Sequence, residues 1–530
     1  MSERRRMERA SHVVVLGAGI AGVLTTAALA GVADTITVVE RDRLPDEQAH
    51  RAGLPQARHA HLLWSAGARA IDQLLPDAIA RLTARGAKRL SVPANAAILS
   101  AHGWLPRFDG PQYAVACTRN LLDQTLREQV AEDPRVTIRD HSEIVGLIGD
   151  ATRVTGVRVR DRDSGTVEQI NADLVVDGTG RSSKVKNWLI ELAVPGVADV
   201  REEVIDSGLA YVTRTFQAPS MAAQDFPMVS VQADVPTAGP GLAATLLPVE
   251  HGRWLVTLAG TRGYEPPRDE AGFLDFARHE VRHPIVADLI SALRPLTPIY
   301  SSRSTANRRL YFEQLSHWPD GIVVLADALA AFNPIYGHGM SVAAHNGLAL
   351  QAGLHAYGIR LGSGRRLQRM VARSSNAAWQ LATSVDIFYP HAGKSVPSRT
   401  DRVSLRYVNR VIRAATRRQA AAAAFFDTVS LSSPPTRLMS PPVLLAALRP
   451  HRSLPAEMSA EPPLTDEEIR RAFNDRSPGD SGQVSTQGDS PTGAEDPDHT
   501  RQEIDSRSTR VEKAPRGAPD LPPTTRPTLG

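Results

Sequence analysis

The chain is poor in cysteine, in lysine and in the paired motifs that bind metals. Its single cysteine, Cys117, excludes an internal disulfide and suits a reducing compartment. HExxH and CxxC pairs, the usual sequence signs of zinc sites, are absent. His59 and His61 are spaced to share a metal on a strand, but they have no carboxylate or cysteine companions. We therefore expect no metal site.

The chain also lacks a large excess of either positive or negative charge. The formal net charge is only +4 over 530 residues, and the arginines are scattered in short clusters that are not interleaved with aromatic residues. This pattern disfavours nucleic-acid binding. The hydrophobic fraction of 42% is typical of a globular protein, and the length predicts two or three domains. We expect a cytoplasmic protein.

Residues 13–39 carry the most informative pattern. A short β-branched apolar run leads into Gly17, Gly19 and Gly22, and small residues then continue for the length of a helix. The first glycine allows a tight turn, the second allows a phosphate to approach the backbone, and the third allows close packing of helix on sheet. The helix N-terminus presents N–H groups to phosphate charge. The pattern predicts a βαβ unit that binds a dinucleotide.

Glu40 ends the second strand of this unit, where a carboxylate accepts hydrogen bonds from ribose hydroxyls. The basic stretch from Arg4 to Arg9 before an apolar run also resembles an export signal or a membrane segment. Three early glycines and two threonines weaken that alternative, and Glu40 has no role in it. A Walker phosphate loop is excluded because no Gly-Lys-Ser/Thr follows the glycines.

Three later segments place polar or small residues after an apolar strand or at the start of a helix. The first offers a cation for pyrophosphate or adenosine oxygens, and the second a turn of small residues with open backbone amides. The third offers a carboxylate for a ribose or ribityl hydroxyl, followed by a glycine-opened helix N-terminus. Their residues are Arg119 in the first, Asp177 and Gly178 in the second, and Asp327, Pro334, Gly337 and Gly339 in the third.

This ordered set, over about residues 11–350, resembles the single-component (class A) flavoprotein monooxygenases with the para-hydroxybenzoate hydroxylase fold. The resemblance implies that FAD is the cofactor, with Glu40 on the adenosine ribose, Arg41 as a further contact and Arg119 near the diphosphate. It also implies that Asp327 holds the ribityl or diphosphate part, and that the Asp177 turn serves both FAD and NAD(P)H. The family usually has glycine before the late aspartate; here Ala326 stands there, which we expect to be a small change.

A narrower resemblance rests on residues 53–67 and on the run from Phe332 to Met340. Both are similar to bacterial epoxidases that act on polyene precursors of polyether antibiotics and are related to squalene epoxidase. The first stretch holds a polar cluster that we expect to line the flavin, and its predicted cofactor contacts are Gln56, Arg58 and His61. The alternative is a hydrated loop whose histidines, His59 and His61, cap a helix.

The chemistry implied by these resemblances is monooxygenation. Only one glycine-rich fingerprint is present, so NAD(P)H would dock transiently, reduce FAD and leave it to react with O2 to a flavin hydroperoxide. Epoxidation of an apolar alkene or polyene in secondary metabolism needs no protein nucleophile, and no catalytic residue is assigned. Hydroxylating a phenol would need a base. The alternatives are an aromatic hydroxylase, a reductase or oxidase without oxygen insertion, and a non-catalytic flavin-binding protein.

The predicted fold is α/β: a Rossmann-like FAD-binding domain with an inserted mixed β-sheet substrate domain and C-terminal helices. Apolar runs between Val204 and Thr261 should form most of the substrate sheet, and they favour an apolar substrate. The predicted segments are 1–85, 113–200 and 301–355 for the FAD domain, 86–112 and 201–300 for the substrate domain, 356–452 for the helical region and 453–530 for a disordered tail.

Two helices outside the FAD domain are also predicted. Residues Phe273 to Leu293 should form one that brackets the substrate sheet. Residues Ser404 to Phe426 show apolar positions at helical spacing with arginines between them, which predicts an amphipathic helix. Packing against the body is the first interpretation, and peripheral contact with an anionic membrane surface is the alternative.

Overall fold

The computed structural model describes residues 10–45, 51, 53–234, 239–393, 396–449 and 461–473. The strands are β1 His12–Leu16, β2 Thr35–Val39, β3 Leu62–Trp64, β4 Lys88–Val92, β5 Ala96–Ser100, β6 Gly103–Trp104, β7 Gln112–Ala116, β8 Val136–Arg139, β9 Ser142–Gly149, β10 Val154–Asp161, β11 Val167–Asn171, β12 Leu174–Asp177, β13 Glu202–Ile205, β14 Ala210–Gln217, β15 Met228–Val231, β16 Ala243–Val249, β17 Arg253–Gly260, β18 Tyr300–Ser302, β19 Asn307–Leu310, β20 Ile322–Val324 and β21 Ala330–Ala331. The α-helices are α1 Ile20–Leu29, α2 Ser65–Leu74, α3 Ala78–Ala84, α4 Arg119–Ala131, α5 Val185–Glu191, α6 Glu270–Asp275, α7 Ile285–Ile290, α8 Gly339–Tyr357, α9 Gly364–Ser374, α10 Asn376–Asp386, α11 Arg399–Ala415, α12 Gln419–Val429, α13 Pro441–Leu448 and α14 Asp466–Phe473.

A five-stranded parallel sheet forms the first layer of the molecule. Its strand order is β20-β12-β1-β2-β8, so strands from three distant parts of the chain lie side by side. The central strand β1 is fully buried from Val13 to Leu16, because helices cover both faces of a parallel sheet. Helix α1 is buried along its whole length and packs on α8. The predicted α/β fold with a discontinuous Rossmann-like domain is confirmed.

A seven-stranded mixed sheet forms the second layer, with the order β18-β14-β17-β16-β15-β5-β6. Strands β14 to β17 form most of this sheet. Each of them starts within one residue of a predicted apolar run; these runs begin at Leu209, Met228, Leu242 and Arg253. Strands β5 and β6 come from the predicted segment 86–112, whereas β4 pairs with β7 in a separate three-stranded sheet. The single helix predicted over residues 273–293 is wrong in detail, because Pro284 separates α6 and its following π-turn from α7.

The C-terminal helices pack on the inner face of the seven-stranded sheet, the face that looks away from α6 and α7. Val411, Ala414 and Ala415 of α11 are buried, and Phe426 of α12 joins the same apolar cluster as the sheet residues. The predicted continuous helix over 404–426 is interrupted, because Arg418 has an extended backbone between α11 and α12. In the described part of the chain no helix is long and apolar enough to cross a membrane.

Helix α14 corrects the prediction of a disordered tail. Residues 461–473 fold onto the outer side of the seven-stranded sheet, where Ala472 is buried beside Phe473 and Leu464. Arg107 holds the segment with two hydrogen bonds of 2.6 Å to Glu468 and one of 2.8 Å to the carbonyl of Pro463. A short apolar patch and one buried ion pair are enough to dock a segment of otherwise polar composition. Residues 453–460 and 474–530 of the predicted tail lie outside the described residues.

A chain that ends at Arg449 should therefore be less stable than one that ends at Phe473. The shorter chain leaves the Arg107 guanidinium without its carboxylate and exposes the apolar patch, which should cost about 2 kcal/mol in the free energy of unfolding. Thermal unfolding of the two chains measures this, with Glu468→Gln in the longer chain isolating the ion pair. Equal melting temperatures would mean that α14 adds nothing to stability.

Candidate cofactor and substrate site

The turn after β1 has the backbone geometry of a phosphate-binding loop. Gly17 has a φ of +89°, a left-handed conformation that favours glycine. A Cβ on Gly22 would lie 1.7 Å from the carbonyl oxygen of Gly17, so the helix can approach the turn only because the side chain is missing. Gly19 differs, since a Cβ there would meet nothing within 4 Å. The open space lies at the N-terminus of α1, where a phosphate is favoured.

The turn after β12 packs behind this loop. A Cβ on Gly178 would lie 3.1 Å from the backbone nitrogen of Gly22, so the two turns touch through their backbones. The Asp177 carboxylate is buried and accepts hydrogen bonds from the amide and hydroxyl of Thr179 and from the hydroxyl of Ser183. The Asp177 carboxylate thus shapes the turn that supports the phosphate loop, and contact of this turn with the cofactor stays a prediction.

Glu40 reaches back to the first turn from the end of β2. Its carboxylate accepts hydrogen bonds from the amides of Ala18, at 2.7 Å, and Asp42, at 2.9 Å. Arg51 also pairs with it at 2.7 Å, and both side chains are less than a tenth exposed. A ribose hydroxyl would therefore have to share this carboxylate with Arg51, a residue that sequence reasoning missed. Arg41 lies half-exposed beside Asp42.

A small cleft lies between Arg51 and the first turns of α4. Among the described residues the Nε of Arg51, which is buried, has no hydrogen-bond partner, so this guanidinium can still donate a hydrogen bond. Arg119, at the start of the same helix, is buried and pairs with Asp123 at 2.6 Å. The cleft is lined by Pro45, Arg51, Leu54, Ala57, Asn120, Asp123, Gln124 and Arg127.

Asp327 follows β20 and faces the start of α8. Its carboxylate lies 3.6 Å from Nε of Arg181, and its Oδ1 is the nearest atom to the position of a Cβ on Gly339, at 3.9 Å. Burial raises the pKa of Asp327, while the cations of Arg181 and Arg119 oppose that rise. Arg181 also donates to the carbonyls of Ala306 and Phe332. Arg181 was not among the predicted site residues, because no sequence pattern links it to Asp327, which lies in a different and distant motif.

Ala326, just before Asp327, has a φ of +48°. The expectation that alanine in place of glycine is a small change is therefore corrected. The methyl group itself fits, but the left-handed backbone costs an L-residue roughly 1–2 kcal/mol. The turn is held in this conformation by a 2.8 Å hydrogen bond from the Ala326 amide to Asn346 on α8.

The loop before α8 brings Pro334 and Ile335 to the surface of the site, where both are exposed. Gly337 has a φ of +66°, and a Cβ there would lie 3.2 Å from Nε1 of Trp64. The same Nε1 donates to the carbonyl of Tyr336 at 3.2 Å. The loop is thus fixed in shape, and the N-terminus of α8 opens beside Asp327.

A buried carboxylate holds this loop from behind. Asp386, at the end of α10, accepts hydrogen bonds from Asn333 at 2.8 Å, Asn307 at 2.7 Å and the hydroxyl of Tyr336 at 2.6 Å. Burial raises the pKa of Asp386, and burial together with the Asp386 carboxylate raises the pKa of Tyr336 well above its usual value. Asp386 lies outside every motif in the sequence, so only the fold reveals its role in positioning the loop.

The polar cluster at residues 56–61 packs against the seven-stranded sheet. Gln56 and Arg58 are exposed, and the Arg58 guanidinium lies 4.8 Å above the ring of Tyr300 on β18. His59 is buried, with Nδ1 2.9 Å from the hydroxyl of Thr213 on β14. Burial lowers the pKa of His59 to about 4, and burial together with Arg119 lowers the pKa of His61 to about 3.

His338 joins the loop before α8 to the C-terminal helices. Its Nε2 lies 3.0 Å from the carbonyl of Val429, which can only accept, so this nitrogen carries the proton. Its Nδ1 is buried without a partner in the structure, and burial lowers the pKa of His338 to about 4. Among the described residues, no group of three or more His, Cys, Asp or Glu side chains is placed to hold a metal ion.

Comparison with known proteins identifies the family. The profile of the FAD binding domain family matches residues 10–385. The chain belongs to this family. A curated relative, protein Rv3254 of Mycobacterium tuberculosis, is 30% identical over 403 residues, which cover 72% of this chain and 81% of the relative.

Solved structures show the same fold at low sequence identity. The flavin-dependent halogenase CmlS aligns with a TM-score of 0.57 at 15% identity, over 80% of this chain and 77% of the halogenase. The flavin-dependent brominase Bmp2 aligns at 0.55 and 14% identity, over 79% of this chain and 94% of the brominase. PqsL of Pseudomonas aeruginosa, a probable FAD-dependent monooxygenase, aligns at 0.53 and 18% identity, over 74% of this chain and 99% of PqsL.

The residues of the site fit FAD. Open space at Gly19, the unpaired Nε of Arg51 and the free N-terminus of α8 offer room and donors to a dinucleotide phosphate. Asp327 offers an acceptor to a cofactor hydroxyl at the same edge of the parallel sheet. These features lie at the carboxyl ends of β1, β12 and β20, where ligands bind in open α/β sheets.

Gly19→Val should fold but bind no FAD, because its side chain would enter the open space that the phosphate needs. The φ of Gly19 is −75°, which any residue adopts. Gly22→Val is the matched control: it should fail to fold, since its Cβ would meet the carbonyl of Gly17. Flavin absorbance and circular dichroism measure both. A folded Gly19→Val protein with normal flavin content would refute the assigned phosphate position.

Ala326→Gly should raise the melting temperature. Glycine relieves the strain of the left-handed backbone in the folded protein, which outweighs the larger conformational entropy that glycine gives the unfolded chain. The free energy of unfolding should therefore rise by up to about 1 kcal/mol. Ala328→Gly, two residues on without a positive φ, should lower the melting temperature and serves as the control. If both variants are destabilised equally, the backbone at Ala326 is unstrained.

Proposed function

We propose that the protein is an FAD-dependent monooxygenase that uses NAD(P)H and O2 to convert an alkene or polyene into an epoxide. The balanced reaction takes alkene, O2, NAD(P)H and a proton to epoxide, water and NAD(P)⁺. One oxygen atom enters the carbon–carbon double bond, and the other leaves as water. NAD(P)H docks transiently, since the chain carries a single glycine-rich fingerprint.

One observation carries the proposal: a turn of the FAD-binding domain contacts the inner face of the seven-stranded sheet. His59 follows the Pro55–Arg58 turn of the FAD-binding domain and is hydrogen-bonded to Thr213 in the sheet. Its ring also meets the ring of Tyr211 edge-on, with 4.5 Å between the ring centroids. A substrate on the inner face would lie next to a bound cofactor. This supports chemistry in which FAD acts on a second molecule.

Several side chains of the protein would bind the cofactor and shield the substrate from water. Arg119 and Arg181 would offset phosphate charge, Asp327 would accept a hydrogen bond from a cofactor hydroxyl, and the amides at the start of α8 would donate to the bound cofactor. Bound FAD supplies the redox chemistry and the activation of O2. The contact from His338 to Val429 holds the end of α12 against the loop before α8, where the helix would help to exclude water from bound substrate.

The titratable groups beside the inner face favour an alkene over a phenol. A base that forms a phenolate needs a pKa near the working pH. Burial lowers the pKa of His59 to about 4, and the pKa of Tyr336 is raised well above its usual value. Neither His59 nor Tyr336 is suited to that role. Transfer of oxygen to a double bond needs no such base.

The test begins with purified protein and its flavin spectrum. NADPH or NADH should bleach the bound FAD under anaerobic conditions, and air should restore it. Polyenes and phenols are then supplied under ¹⁸O2, and products are weighed by mass spectrometry, with Gly19→Val as the flavin-free control. One labelled oxygen in an alkene product is the expected result.

Each other outcome removes a defined part of the proposal. Labelled phenol products alone would replace epoxidation by aromatic hydroxylation. Bleaching and reoxidation without labelled product from either panel would favour an oxidase or reductase. Failure of both nicotinamides to bleach a protein that retains FAD would favour a flavin-binding protein without this activity.

A further inference from the structure

A row of hydroxyl groups crosses the inner face of the seven-stranded sheet. In the strand register, Thr213 lies opposite Thr257, Thr257 opposite Thr245, and Thr245 opposite Ser230. Residues directly opposite each other in paired strands point to the same face. These four side chains, the hydroxyl row, therefore lie on one face, with 2.8 Å between the hydroxyls of Thr213 and Thr257 and 3.1 Å between those of Ser230 and Thr245.

The hydroxyl row marks where space opens over the sheet. In β15 and β16 the only residues that are not buried are Ser230 and Thr245, and in β17 they are Thr257 and the terminal Arg253. These strands have neighbours on both sides, so exposure in their middle requires an opening above the sheet. On the outer face the alternate residues are fully buried under α6 and α7.

This opening belongs to the site rather than to the outer surface. At one end, His59 contacts Thr213 and connects the hydroxyl row to the Pro55–Arg58 turn of the FAD-binding domain. Two residues further along the strands, Leu247 and Leu255 pack with Trp64 and with Phe426 of α12 in one apolar cluster. The row is therefore a polar strip with an apolar wall on the side of the C-terminal helices.

The apolar residues that suggested an apolar substrate lie elsewhere. Strand alternation places Val256, Leu258 and Leu246 on the outer face, where they pack under α6 and α7. The face toward the opening presents hydroxyls at the same level on three strands, from Ser230, Thr245 and Thr257, whereas Thr213 on the fourth strand is fully buried. Hydroxyls that meet only hydrocarbon lose their hydrogen bonds to water without replacement, which is unfavourable.

We propose that the hydroxyl row is the substrate floor and that it selects an unsaturated substrate carrying hydroxyl, ether or carbonyl oxygens. This inference rests on the proposed function, whose site it describes. The mutual hydrogen bond of Ser230 and Thr245 uses one of their two hydroxyl hydrogens and leaves the other for a substrate oxygen. Strands lie about 4.8 Å apart, so the three open positions, Ser230, Thr245 and Thr257, span roughly 10 Å of a bound molecule. A substrate without oxygen leaves these groups unpaired, and a site of this kind discriminates against it.

Binding to the FAD-loaded protein tests the floor without turnover. β-Farnesene, farnesol and farnesyl methyl ether share a carbon skeleton and differ in oxygen, and their binding is followed by the change in FAD absorbance. We expect farnesol and the ether to bind at least about tenfold more tightly than β-farnesene, the effect of one hydrogen bond. Thr245→Val and Thr257→Val keep the side-chain shape and should remove most of that difference while leaving β-farnesene binding unchanged.

Thr155→Val, on the exposed side of β10 in another sheet, is the matched control and should change nothing. Equal binding of β-farnesene and farnesol by the unchanged protein, or an unchanged preference in both valine variants, would overturn the proposal, as would failure of all three probes to bind. These results do not depend on bleaching by NADPH or on ¹⁸O incorporation, so failure of the floor and failure of the proposed function are separate outcomes.

Discussion

The structure depends on backbone contact between two turns at the carboxyl edge of the parallel sheet. Gly17, Gly22 and Gly178 approach so closely that a side chain on any of them would meet backbone atoms within 3.3 Å. This contact sets the direction of α1 and leaves the space at Gly19 open. It also brings the end of β12 next to β20, so that Arg181 and Asp327 meet. The cofactor site is thus a consequence of how closely strands and helices can pack when side chains are missing.

Around this contact, polar side chains from distant parts of the chain fix the loop before α8. Asp386 holds Asn333 and Tyr336, Trp64 holds the Tyr336 carbonyl, and His338 joins the loop to α12. Because each of these contacts comes from a different element, the C-terminal helices and the cofactor loop are mechanically connected. The loop before α8 and the apolar wall beside the hydroxyl row therefore share their supports.

Local patterns predicted the parts of the site that lie within one supersecondary unit. The glycines of the first turn, Glu40 at the end of β2 and the strand before Asp327 follow from spacing that a βαβ unit imposes. Arg51, Arg181 and Asp386 could not be found this way, because their partners are remote in sequence and no periodicity links them. The strain at Ala326 was also hidden, since the positive φ is a property of the folded turn.

The substrate side shows the same limit more clearly. Apolar runs located the strands of the seven-stranded sheet, but the average composition of a strand says nothing about which face carries which residue. Thr213, Thr245 and Thr257 form a row only because three strands pair in one register. The disordered tail was predicted from composition, which cannot foresee that Arg107 and an apolar patch would dock α14. Register and long-range ion pairs are properties of the assembled fold.

A crystal structure of the protein with FAD and an oxygenated polyene bound tests the central claim most directly. The account predicts the diphosphate over Gly19 and the N-terminus of α1, a ribityl hydroxyl on Asp327, and the polyene between the flavin ring and the Thr257–Thr245 part of the inner face. Density for FAD away from Gly19 and Asp327, or a polyene that avoids the hydroxyl row, would contradict it.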